Sequence, residues 1–344
     1  MSLVAVDVVV VGCGVMGAAA TRALARRGRE VLSLERFATG HRRGSSHGSS
    51  RIFRFSYDEI GYVRMAIESR ALWRDLEGEA GQEILITTGG LDIGSAVPLH
   101  AAALRQAGAA FEVLDPPVAR RRFPVRIEDG EQVLYQPDAG IVAADRAWRA
   151  FIEGGRGAGA EVREGERVVA IRPSASLVDV ETDGSTYRAR ACVVTAGAWA
   201  RPLLTEAGID LPVTPTRETA AYTALPDGLE IPSVVDWTSP ARYALMAPGE
   251  GLKMAEHHAG PVTDPEEEGI PDPASVDRLV AWMRGRFPEA APDPTRAETC
   301  LYTNTEDEGF ILERHGPIVV GSPCSGHGFK FAPLIGERLA DLAG

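Results

Sequence analysis

The sequence predicts an α/β plus β protein, in which a discontinuous Rossmann-like dinucleotide-binding domain is interleaved with a mostly antiparallel-sheet domain. Three observations predict it. Residues 6–35 read as strand, glycine-rich turn, helix, strand and acid. Beyond them the chain does not continue in βαβ repeats, and residues 217–257 break into extended segments separated by Pro and Gly turns. The length of 344 residues leaves room for about two domains with a substantial core.

The first element is Val6-Asp7-Val8-Val9-Val10-Val11, a β-branched run expected of a buried parallel strand. Gly12-Cys13-Gly14-Val15-Met16-Gly17 follows, then an Ala-rich helix to about Arg27 with Gly28 placed to cap it. Val31–Leu34 is the second strand and ends at Glu35. Gly12 permits the tight turn, Gly14 lets backbone approach a pyrophosphate, and Gly17 lets the helix pack closely. The helix N-terminus then faces the phosphates. Glu35, 23 residues after Gly12, is placed to accept hydrogen bonds from a ribose diol. This fingerprint alone does not choose between NAD and FAD.

Farther along, residues 57–80 read as a helix with Tyr62, Met65, Ala66, Leu72, Trp73 and Leu76 near helical spacing. Residues 84–93 read as strand, turn, strand, and 145–160 as a helix. A strand at 166–171 leads to a hairpin through Asp183-Gly184. Ala191–Val194 is a buried strand running into a glycine turn, and Pro-rich acidic loops occupy 261–273 and 288–294. The expected division assigns 1–84, 141–214 and 297–344 to the nucleotide domain. Residues 85–140 and 215–296 then form the substrate domain.

Composition narrows the function. Apolar content of 44%, charged content of 24% and a net charge of −12 suit a soluble globular protein. They argue against a general nucleic-acid or anionic-membrane binder. The uncharged run at 8–20 is interrupted by glycines and too short to span a bilayer, and no secretory signal is evident. The four cysteines have no CxxC or CxH spacing, so neither a zinc site nor a disulfide framework is expected. A cytoplasmic protein with reduced thiols is expected.

Six motifs carry a resemblance. They are GCGVMG with LERF (12–17, 34–37), GSSHGSSRIFR (44–54), TAGAW (195–199), GLKMAEH (251–257), CLYTNTEDEGFIL (300–312) and SGHGFKF (325–331). In this order they resemble the monomeric sarcosine oxidase and N-methyltryptophan oxidase family, within the D-amino-acid oxidase group of flavoproteins. The resemblance covers nearly the whole chain and implies a Rossmann-like FAD-binding domain, so FAD displaces NAD. It implies oxidation of a secondary amino acid, N-methyl or cyclic, such as sarcosine, to an imine. Flavin reoxidation by O2 then gives H2O2, in a monomer that needs no metal. A dehydrogenase, or a biosynthetic imino-acid oxidase with another acceptor or substrate, is one alternative, and a binding protein that keeps the flavin fold without turnover is the other.

The resemblance also assigns residues. FAD contacts fall to Gly12, Gly14, Gly17, Glu35, Arg36 and Ser45, and to His47, Ser50, Arg51, Val168, Ala196, Gly197 and Trp199. Gly326, His327, Gly328, Phe329 and Lys330 complete them, and Cys300 carries a thioether to the 8α carbon. Cys324 is the rival thiol. Strand alternation places Lys253, Ala255 and His257 on one face. By resemblance Lys253 lies over the flavin and helps oxygen react, as a fixed cation would. His257 faces the substrate region, and Tyr302 shares the face of Cys300. Arg51 would favour the reduced, anionic flavin. Arg54, expected one helical turn beyond it, pairs with Lys330 to clamp a substrate carboxylate.

Departures from the family touch the pocket. Ser49-Ser50 replaces an acid-threonine pair often seen there, and Tyr243 stands where a pocket tyrosine is common. The chain ends after FKFAPLIGERLADLAG, where the family usually runs on.

Overall fold

The computed structural model describes residues 3–38 and 40–344. Its first sheet is organised by the strand Leu3–Val11, which pairs in parallel with Val31–Leu34 on one side and Thr186–Val194 on the other. Val8 and Val10 pack into one core cluster with helix Val15–Arg26, while Val9 and Val11 enter a second cluster with Leu32, Ile171 and Leu204. Both faces are therefore covered, which is why the strand reads as an unbroken valine run. The full order is Val168–Pro173, Val178–Thr182, Thr186–Val194, Leu3–Val11, Val31–Leu34 and Glu161–Arg163. Ile318–Ser322 joins the C-terminal end of Thr186–Val194 in parallel and carries Ile311–His315 as a hairpin partner.

The second sheet is antiparallel at every pairing but one. Its order is Pro294–Asn304, Thr214–Thr223, Gly251–Glu256, Arg242–Ala247, Ser233–Asp236, Gly90–Ile93, Val133–Gln136 and Glu112–Leu114. Only Ser233–Asp236 and Gly90–Ile93 run parallel. Helix Pro273–Arg286 covers one face, with Leu279 and Met283 packed in one core cluster with Leu252 and Met254. Asp272 caps this helix by accepting from the N–H groups of Ala274 and Ser275. The helix lies between the two Pro-rich loops and was not expected.

A small third sheet, Ser50–Phe53, Gly140–Ala143 and Leu85–Thr87, links the halves. The expected strand–turn–strand at 84–93 is present but is not a hairpin. Leu85–Thr87 pairs with Gly140–Ala143, whereas Gly90–Ile93 pairs with Val133–Gln136, so the chain passes between sheets here. Helices Ile60–Ala80 and Ala144–Gly157 match their expected spans to within a few residues. No helix among the described residues is long and apolar enough to cross a membrane.

Candidate active site

A cavity of about 330 Å³ runs between the sheets. One end is built by the first turn of the chain. Gly12 sits at φ +88°, and a Cβ there would lie 2.9 Å from both Ala196 Cα and the Thr195 carbonyl. Gly17 does not line the cavity. A Cβ on it would fall 1.9 Å from the Gly12 carbonyl, so its absence lets helix Val15–Arg26 press against the turn. The helix begins at Gly14 without a side-chain cap of its own, and Ser46 Oγ accepts the Val15 N–H at 2.9 Å. Glu35 accepts from the N–H groups of Cys13 at 2.8 Å and Phe37 at 3.0 Å, which fixes its carboxylate beside the turn. Val168, Ala196 and Gly197 line the same end. Glu266 closes it, accepting from Arg36 Nη2 at 2.8 Å and Trp199 Nε1 at 3.0 Å.

The other end is assembled from distant segments. Arg51 gathers its own loop. Its Nη2 donates to the carbonyls of Ser45 at 2.8 Å and His47 at 2.6 Å, and its Nη1 to Ser50 O at 2.8 Å. Gly48, at φ +104°, leaves room for this, since a Cβ would meet Arg51 Nη1 and Glu298 Oε1 at 3.4 Å. Ser45 Oγ donates to Leu301 O. His47 faces the cavity with neither ring nitrogen partnered, and burial together with the Arg51 charge pushes its pKa down to about 4. Ser50 is buried in its strand, behind the wall.

Lys253 and Glu298 form a buried pair, Nζ to Oε1 at 3.4 Å. Burial and the Arg51 charge push the lysine down to about 8. Burial opposes the charge of Glu298, but Lys253, Tyr222 and Arg296 hold it down to about 2. The sequence reading missed Glu298. Its signal was present, because Glu298, Cys300 and Tyr302 alternate along one strand and so share a face. Burial raises the Cys300 thiol, while Arg51 and Lys253 act to lower it. Cys324 also lines the cavity, and its Sγ accepts the Thr303 N–H at 3.3 Å. All four cysteines are unpaired.

Beyond Cys300, Tyr243 and Tyr302 line the cavity, and burial pushes both phenols up. Gly326 lies flat on Tyr302, since a Cβ would come within 2.2 Å of the ring. At Gly328 a Cβ would fall 1.7 Å from Pro323 O. Phe329 receives the Arg51 guanidinium over its ring at 5.5 Å. Lys330 is buried and donates to Tyr57 Oη at 2.8 Å and His327 O at 2.6 Å. Burial, then the Arg54 charge, pushes its pKa well below the ordinary value. His327 bonds Tyr57 Oη and Glu308 O, and burial takes it down to about 3.

Two residues expected at the substrate, Arg54 and His257, also stand behind the cavity wall. Ser50–Phe53 is a strand, so Arg54 is not one helical turn beyond Arg51. A three-residue step along a strand sends the two side chains to opposite faces. Arg54 lies over the rings of Tyr57 at 4.3 Å and Trp237 at 5.2 Å. A buried network missed by the sequence reading holds that segment. Asp92 accepts from Trp237 Nε1 and Gln136 Nε2, each at 2.7 Å, and Gln136 Oε1 accepts the N–H groups of Phe55 and Ser56. His257 packs its ring 5.8 Å from that of Tyr302, and burial with neighbouring His258 takes it down to about 3.

The residues present fit FAD. Gly12 and Gly14 keep side chains out of the turn, the open helix end offers N–H groups to phosphates, and Glu35 is held where a ribose diol would lie. His47, with unpartnered ring nitrogens, the half-buried Arg51 and the buried Lys253 line the opposite end, as a polar ring system would require.

Comparisons with known proteins agree with this geometry. The family model for FAD dependent oxidoreductase matches residues 7–342. The chain is 36% identical to peroxisomal sarcosine oxidase of Homo sapiens, over 98% of this chain and 92% of that protein. It is 35% identical to monomeric sarcosine oxidase of Streptomyces avermitilis, over 98% and 93% of the two chains. The solved structure of NikD, an unusual amino acid oxidase essential for nikkomycin biosynthesis, superposes with a TM-score of 0.90 at 30% identity, over 99% of this chain and 94% of that one. The chain belongs to the family of FAD-dependent oxidoreductases.

Proposed function

We propose that this protein oxidises a secondary amino acid, N-methyl or cyclic, to an imine and passes the electrons to O2 as H2O2. One observation carries the reading: the cations Arg51, Lys253 and Lys330, the two lysines buried and the arginine half-buried, converge at the end of the cavity opposite the dinucleotide turn. FAD, when bound, accepts a hydride equivalent from the carbon beside the substrate nitrogen and returns electrons to an acceptor. Gly12, Gly14, Glu35, Arg36, Ser45, His47, Val168, Ala196, Gly197 and Trp199 hold it. The glycine turn 326–328 and Phe329 flank it, and Cys300 ties it covalently. Arg51 and Lys253 favour the thiolate that this bond requires.

The substrate end follows from charge. Lys330 and Arg54 neutralise and orient the carboxylate, Arg54 by swinging from its stack on Tyr57 and Trp237. Tyr243 and Tyr302 shape the wall around the amine, and His257 supports it from behind Tyr302. His257 and His327, uncharged at neutral pH, add no cation to repel it. Lys253 stands where negative charge develops on oxygen, and a preorganised buried cation there stabilises that charge without solvent rearrangement. The protein acts as a cytoplasmic monomer on small molecules.

A panel of N-methyl, cyclic and D-amino acids with peroxide readout tests this. Peroxide in step with substrate loss is expected. Flavin bleaching without peroxide under air would reassign the acceptor, and no anaerobic bleaching by any amino acid would leave only a flavin-binding protein. Acid denaturation tests the link: yellow colour should stay with the pellet, and Cys300→Ser should release it. Release by Cys324→Ser instead would move the link.

A further inference from the structure

We propose that His257, His258 and Glu308 form a binding site for Zn²⁺ beside the substrate end of the cavity. The three residues come from two segments far apart in sequence. His257 and His258 form the corner after strand Gly251–Glu256, and Glu308 lies in the turn after strand Pro294–Asn304. One ligand atom from each lies within 4.8 Å of the other two. His258 Nε2 stands 3.5 Å from Glu308 Oε2 and has no hydrogen-bond partner, so it is positioned by the carboxylate without being satisfied by it. The two imidazole rings are neighbours at 4.1 Å between centroids.

The backbone at this place is unusual for the molecule. Among the described residues, the non-glycine residues with left-handed φ are His258 at 54°, Glu308 at 59° and Ser325 at 40°. Two of these are the proposed ligands. The third holds the turn that presents Glu308, since Ser325 Oγ accepts the Thr305 N–H at 3.2 Å. The turn is further fixed by Thr305 Oγ1 donating to Gly309 O and by His327 Nε2 bonding Glu308 O. Strained conformations persist only where surrounding contacts over-determine them, and they collect at functional sites.

The donor set selects the ion. Two imidazole nitrogens and one carboxylate oxygen suit zinc, whereas Mg²⁺ and Ca²⁺ require mostly oxygen ligands. Metal–ligand bonds of about 2.0–2.2 Å require the three ligand atoms to draw together, which side-chain rotation allows. Water completes a tetrahedron. Occupancy would draw His257 away from its packing behind Tyr302 and slow turnover. That consequence rests on the wall role given to His257 above, while zinc binding does not.

The test uses FAD-loaded protein, washed with chelator and titrated with zinc chloride by calorimetry, with X-ray absorption at the zinc edge. One zinc per chain with nitrogen and oxygen in the first shell is expected. His258→Asn and Glu308→Gln should each weaken binding at least about tenfold, given that losing even an outer partner of a metal ligand costs about that much. In zinc-free buffer both variants should turn over substrate as the parent does. Sulfur in the first shell, equal affinity in the variants, or no binding at millimolar zinc would overturn the site. Stoichiometric binding with turnover unchanged would uphold the site and remove His257 from the substrate wall.

Discussion

At one end of the cavity the contacts are offered mainly by backbone, by the turn at Gly12 and Gly14 and the end of helix Val15–Arg26, with the Glu35 carboxylate held beside them by the N–H of Cys13. At the other end they are offered by side chains, with Arg51, Lys253, Cys300 and Lys330 drawn from separate segments and the three cations each held by partners of their own. A backbone site depends on the space left by absent side chains. A side-chain site depends on buried charge balanced by counter-charge. Damage to the first should remove the cofactor, and damage to the second should leave the cofactor bound and spoil a step.

The largest effect should come from the backbone end. Gly17→Val puts atoms into the Gly12 carbonyl, and no relaxation of a side chain relieves that contact. The expected result is protein without flavin or no soluble protein, read from the ratio of flavin to protein absorbance. A yellow, active variant would break the comparison.

Lys253→Met is the counterpart at the other end. Oxygen reactivity of the reduced enzyme should fall roughly 10²–10³-fold, the range for losing one preorganised electrostatic group. Anaerobic flavin reduction should change far less, as stopped-flow measurement of each half-reaction would show. Equal losses would mean that Lys253 positions substrate. The same residue sets a pH dependence. Its ammonium form, present below its depressed pKa of about 8, is lost as pH rises through that value, so oxygen reactivity should decline there and Lys253→Met should abolish the decline.

Lys330→Met should raise the KM for a carboxylate-bearing substrate about 10–100-fold, matching about 1.5–3 kcal/mol for a hydrogen bond to a charged group. An amine lacking the carboxylate should show no such change. The smallest effect is expected at Glu35→Gln, which keeps one acceptor oxygen. In a Cys300→Ser background it should weaken FAD binding by about 1 kcal/mol, seen in a flavin fluorescence titration, with turnover of the loaded enzyme unaltered.

The same contrast explains what could be read from the sequence. The backbone end lies within residues 12–35, where glycine spacing and strand–helix alternation report directly on the turn. The side-chain end was reached only through a resemblance, because nothing local connects Arg51 to Lys253 or Lys330. Arg51 and Arg54 were misjudged because a three-residue spacing suggests a helix, whereas Ser50–Phe53 pairs with Gly140–Ala143. Helix Pro273–Arg286 escaped notice because its inward positions are partly polar. Arg286 and Trp282 bond Asp236, and Arg278 bonds Glu256, which blurs the apolar period. The Asp92–Gln136–Trp237 network joins residues too distant in sequence for any periodicity to link them.

The loop GSSHGSSR is tied to its own arginine, with three carbonyls around one guanidinium. A segment of glycines and serines has much conformational freedom to lose, and here it is lost when the polypeptide folds. A flavin ring docking on this loop would therefore meet a rigid surface, with little ordering left to oppose its association. Arg51 thus acts as an internal template, making a flexible composition behave like a cast.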